Sequence, residues 1–167
     1  MDKCIVLWYT DKPIEGFMKK MFIFMTVFCL AFFVSAQRAS FITEMLEAEK
    51  ATYGEVSYLS AVYQGFVNES ASYDEALETL QREGQVRTTV NKDAPLSFRE
   101  LSAIMAKLWN IKGGLMFRIT KGSGWYSFRQ FKIDGVISND TNPSKKVSGI
   151  DVLNLYTACQ QKYGGNE

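Results

Sequence analysis

Five side chains in the second half of the chain have the types and spacing to engage another molecule: Lys112, Arg118, Trp125, Tyr126 and Arg129. An aromatic pair bordered by cations can recognise a sugar or a peptide by stacking and charge-assisted hydrogen bonds. Trp125 also opens a helix, where packing against the core or its rim competes for the same ring. Nothing comparable assembles for catalysis. The chain has no histidine, which removes Ser-His-Asp and Cys-His nucleophile systems, histidine zinc sites and the usual near-neutral general base. Asn139-Asp140-Thr141-Asn142 has calcium-loop character. Counted from Asp140, however, Lys145 and Asp151 stand where such a loop requires its Gly and its final Glu. Local Asn and Asp turns followed by Pro143 account for that run. Gly113-Gly114 and Gly122-Ser123-Gly124 do not lead into a helix with a lysine at its start, as a phosphate cradle would. The carboxylate pairs Glu75/Glu78 and Glu47/Glu49 lack an apolar surround and read as exposed helix charges, so a hydrolase working by carboxylates alone is the least favoured function. The expectation is a protein that is not an enzyme, with no cofactor and no metal.

The elements that hold these residues are written twice. Moving Leu77–Leu108 forward by 51 positions places Leu77 on Phe128, Leu80 on Phe131, Gly84 on Gly135, Val86 on Ile137, Asn91 on Asn142, Leu96 on Val147 and Ile104 on Leu155. Ser97 falls on Ser148 and Glu100 on Asp151. This is an internal repeat. Gly84 and Gly135 can take the left-handed conformation that ends a helix, with Val86 or Ile137 folding back on its last turn. Ser97 and Ser148 can then cap the next helix, with Glu100 and Asp151 reaching back three residues later. At an offset of 45, Thr52 and Glu55 match Ser97 and Glu100, making a preceding half unit. The spacing predicts helices over 41–49, 52–67, 72–83, 97–109, 125–133 and 148–162. The fourth ends near Gly113-Gly114, and 115–119 reads as a short extended segment or a packed loop. Ile42, Met45 and Leu46 should face inward on the first helix. Val56, Leu59, Val62, Tyr63 and Phe66 should do so on the second. The fold class is mostly α, with repeated helix-loop-helix units in one domain: a half unit at 52–67 and units at 72–111 and 124–162.

This unit of helix, Gly-Val or Gly-Ile turn, Pro-containing loop and capped helix resembles the S-layer homology repeat. The resemblance covers roughly Thr52 to Cys159. It implies an envelope setting and a polymer-binding Arg after the Thr that opens each helix; here Tyr53, Phe98 and Gly149 occupy those positions. The chain is also similar to short secreted proteins of spirochaete bacteria that carry degenerate repeats of this kind. The partners implied are an envelope protein or a cell-wall polymer, and the departure at the Arg favours the protein.

Residues 1–17 read as an extension upstream of a second start at Met18-Lys19-Lys20, and 18–36 as a secretory signal peptide. Met21–Val34 is fourteen uncharged residues, a helix of about 21 Å against roughly 30 Å of hydrocarbon, so no stable membrane span is expected after cleavage. Val34-Ser35-Ala36 suits cleavage before Gln37. The mature chain, 37–167, then forms one domain in the periplasm or cell envelope. Cys4 and Cys29 leave with the leader, and Cys159 becomes a buried thiol on the inward helix face. Residues 37–91 hold four Lys or Arg and nine Asp or Glu, and 92–167 hold eleven and six. The second half could therefore meet an anionic partner, although two solvated faces explain the same asymmetry, and nothing approaches the basic density of a nucleic-acid binder. Mass spectrometry of the exported protein should give an N-terminus at Gln37. A mature protein still carrying residues 18–34 would make the segment an anchor.

Overall fold

Three capped helix starts meet at one point, and the rest of the fold is arranged around them. The computed structural model describes residues 40–165. The upstream extension and leader expected at 1–36 lie outside the described residues. Among these residues the protein is mostly α: α1 (40–47), α2 (Tyr53–Tyr63), α3 (Tyr73–Arg82), α4 (Phe98–Leu108), α5 (Leu115–Ile119), α6 (Gly124–Ile133) and α7 (Gly149–Tyr163).

Each of α2, α4 and α7 begins with a reciprocal cap. The backbone N–H of Thr52 donates to Glu55 at 2.7 Å, that of Ser97 to Glu100 at 2.8 Å and that of Ser148 to Asp151 at 3.0 Å. These caps satisfy donors that a helix start leaves open. The residue before each cap closes a ring of backbone bonds. Ala51 N–H donates to Val147 C=O at 2.9 Å, Val147 to Leu96 at 3.1 Å and Leu96 to Ala51 at 3.1 Å. A second tier runs the opposite way round: Tyr53 N–H to Ala94 C=O, Phe98 to Lys145 and Gly149 to Ala48, at 3.0, 3.1 and 2.9 Å. Below the ring, Val56, Leu101 and Val152 are fully buried, followed by Leu59, Ile104 and Leu155. The three helices thus share one apolar axis.

The outer helices recur too. α3 packs on α2 as α6 packs on α4, and the small residues Ser57, Ala61, Ser102 and Ala106 are buried on α2 and α4. Both outer helices end in the same turn: Gly84 and Gly135 have φ of 65° and 74°, and the N–H groups of Val86 and Ile137 both reach the carbonyl six residues back at 3.2 Å. α7 departs from the pattern. Its first residue, Gly149, lies against α1, where an added Cβ would stand 1.6 Å from the Met45 carbonyl oxygen.

Four expectations need correction. Leu115–Ile119 is a helical turn, with Arg118 N–H bonded to Gly114 C=O at 3.1 Å, because Leu, Met and Arg are good helix formers and only Phe117 has a packing surface to meet. α4 ends at Trp109 as its spacing predicts, but the residue that stops it is Asn110, at φ 44°, rather than the later glycines. α2 stops at Tyr63, and Gly65 at φ 70° turns Phe66 off the helical stripe; Phe66 and Tyr63, on the last turn, are both exposed rather than inward. On α1 only Met45 is buried, while Ile42 and Leu46 are exposed. Gly149→Ala should destabilise more than Gly135→Ala, which carries only the left-handed penalty of about 1 kcal/mol. Gly149 carries no left-handed penalty, and its cost comes from a Cβ overlapping backbone that must move, about 3 kcal/mol. Equal urea midpoints for the two variants would contradict the close approach of α1 to α7.

Candidate functional site

The connection from α2 to α3 takes nine residues, 64–72, whereas that from α4 to α6 takes fifteen, 109–123. The six extra residues are the reason the repeat spacing changes from 45 to 51, and they contain α5. This inserted helix buries none of its residues. Leu115, Met116 and Ile119 are 73, 54 and 65% exposed, and Phe117 alone turns inward, over Gly113 and Gly122. α5 lies against α6, with the Gly114 N–H donating to the Gln130 side chain at 3.3 Å.

Of the five residues proposed from the sequence, Lys112, Arg118, Trp125 and Arg129 are exposed and Tyr126 is half-buried. The structure gathers them on the α5–α6 hairpin. Trp125 and Arg129 share a stripe of α6 with Ile133, which is 76% exposed, and Trp125 at 46% exposure is a surface ring rather than a core one. Sequence reasoning missed Leu115, Met116, Ile119 and Ile133, although the jump in repeat spacing pointed to an insertion.

Two grooves flank the hairpin. The first, of about 740 Å³, is lined by Tyr63, Trp109, Asn110, Lys112, Gln130, Asp134, Lys162 and Tyr163 among others. It exists because α7 runs a turn further than α2 and α4. Tyr163 hydroxyl holds that turn by donating to Asp134 at 2.6 Å, and beside it Tyr63 meets Tyr156 edge to face, with Trp109 tilted against both rings. The second groove, of about 500 Å³, carries Arg87, Arg99, Lys107 and Lys121 with one carboxylate, Glu100. Glu100 is already engaged. Burial pushes its carboxyl up, but the Ser97 hydroxyl and amide and the Tyr53 hydroxyl hold it below its ordinary value. Lys107 donates to the carbonyls of Gly84 and Gln85 at 2.6 and 3.0 Å. This groove can attract an anion, and its one carboxylate is already committed to the α4 cap.

The three positions that would carry a polymer-binding Arg are occupied by packing. Tyr53 and Phe98 are buried, and Gly149 is pressed against Met45. Among the described residues no three His, Cys, Asp or Glu side chains converge to hold a metal ion, and no helix is long and apolar enough to cross a membrane. Glu47, Glu49, Glu75 and Glu78 are all exposed. No protein-family model matches the chain, and neither curated proteins nor solved structures give a match.

Burial raises the Cys159 thiol from 9.0 to about 12 and, with Tyr63 nearby, the Tyr156 hydroxyl from 10.0 to about 12. Raised folded-state values stabilise fully below the unfolded ones, and that contribution is lost as pH climbs through the folded ones. Burial lowers Lys107 from 10.5, a single opposing group. The melting temperature should therefore fall across pH 9 to 12, and Cys159 should resist a thiol reagent at pH 8 until the protein is unfolded. Rapid labelling of the native protein would contradict the buried position.

Proposed function

We propose that the protein is a secreted, non-catalytic module of the cell envelope that docks onto another envelope component through the α5–α6 face. The observation that carries this reading is the insertion of α5, which interrupts a repeated scaffold and leaves three large apolar side chains in solvent. A chain gains nothing in folding from such exposure, and contiguous exposed apolar surface marks interaction sites. The S-layer-homology-like repeat serves as scaffold in this reading, since Tyr53, Phe98 and Gly149 fill the places of the polymer-binding Arg.

Arg118 and Arg129 are exposed, and the ion pairs among the described residues lie elsewhere, at Lys92–Asp74 and Lys145–Asp151. Replacing both arginines by Ala should weaken retention by an envelope fraction about tenfold, in line with Arg as an interface anchor. Helical content and melting temperature should stay unchanged. Tight, saturable binding to purified wall polymer that survives the double change would reject this reading.

A further inference from the structure

The face that docks has a charge pattern to match its apolar one. From Leu101 to Ile133 the chain carries Lys107, Lys112, Arg118, Lys121, Arg129 and Lys132 and no Asp or Glu. Two of these cations are tied to the fold: Lys107 bonds the Gly84 turn, and Lys132 bonds the carbonyls of Asn139 and Thr141 while lying over the Phe128 ring. The other four, Lys112, Arg118, Lys121 and Arg129, are exposed and flank Leu115, Met116, Ile119 and Trp125.

We infer that the α5–α6 hairpin is a peripheral membrane-docking element for an anionic lipid surface, with Leu115, Met116 and Ile119 entering the acyl boundary and Lys112, Arg118, Lys121 and Arg129 meeting the headgroups. This rests on the docking function proposed above and names its partner. Apolar tips on a short helix, a tryptophan at their edge and surrounding cations are the arrangement that binds an interface without spanning it. Long Lys and Arg side chains can keep their charges at the headgroups while their stems follow the apolar residues inward. A stretch of 33 residues without a carboxylate removes the repulsion that an anionic surface would otherwise impose. The apolar side chains project from a five-residue helix, a form that a fluid bilayer accepts directly and that a protein could accept only with a matching groove.

The test uses the chain from Gln37, because the apolar leader would itself bind lipid and Ser40–Glu167 is a compact unit of its own. Sedimentation with vesicles of phosphatidylcholine and phosphatidylglycerol, roughly three to one, should retain the protein at least about tenfold better than phosphatidylcholine alone. Retention should fall at roughly 0.5 M salt. Leu115→Ser with Ile119→Ser, and separately Arg118→Ala with Arg129→Ala, should each reduce it about tenfold with unchanged melting. Equal binding to neutral vesicles, no binding to either, or binding unaffected by both double variants overturns the lipid assignment. If vesicles fail but the same variants still lose a protein from the envelope fraction, the docking face stands with a protein as its occupant. If neither is affected, the docking function falls as well.

Discussion

The cyclic set of six backbone bonds joining Ala51, Leu96 and Val147, and the helix starts just beyond them, is the constraint on which the rest of the structure depends. Each bond contributes only about 1 kcal/mol net, but each buried amide left unpaired would cost about 1–3 kcal/mol. The ring therefore works as a condition that all three junctions must meet together. It sets the spacing of α2, α4 and α7, and their apolar residues then join one core: Val56, Leu101, Ile104, Val152 and Leu155, with Leu59 packed against them. Because the ring joins residues far apart in the chain, its closure belongs to the slow, non-local part of folding.

Against this threefold plan the departures become informative. α1 stands where a full outer helix and loop would be, and Gly149 is the adjustment that lets it approach α7. The glycine at the contact of inner and outer helices changes sides, from Gly54 beside Tyr73 in one unit to Gly124 beside Arg99 in the next. Both are compensations within packing. α5 is different, because nothing in the ring or the axis requires it and its exposed residues contribute nothing to the core. Its place between the two grooves, in a stretch free of carboxylates, is what the proposed docking role rests on.

Much of the scaffold was legible because its signals are local. Thr52 with Glu55, Ser97 with Glu100 and Ser148 with Asp151 announce helix starts through side-chain chemistry, and Gly84 and Gly135 announce stops. The end of α2 lies earlier than its apolar pattern suggests: Phe66 looks like the next turn of the stripe, and Gly65 in its left-handed conformation removes it, while Tyr63 stands exposed on the last helical turn. α5 was misread because five residues are too few for a helical period to show. The ring was not legible at all, since it uses backbone groups of Ala51, Leu96 and Val147, whose side chains say nothing about who their partners are. Lys112, Arg118, Trp125, Tyr126 and Arg129 were visible as types and spacing. Their apolar companions on α5 were hidden, because an exposed Leu or Met looks in sequence like a buried one.

The claim that a repeated ring supplies the scaffold and an inserted helix supplies the binding is tested most directly by deleting residues 115–120, which reduces the α4–α6 connection to nine residues, the length of 64–72. The account predicts a cooperative fold melting within roughly 8 °C of the parent, corresponding to about 1 kcal/mol lost with Phe117, and no retention by the envelope component that the intact chain binds. Global unfolding on deletion, or a folded chain that binds as well as the parent, would contradict it.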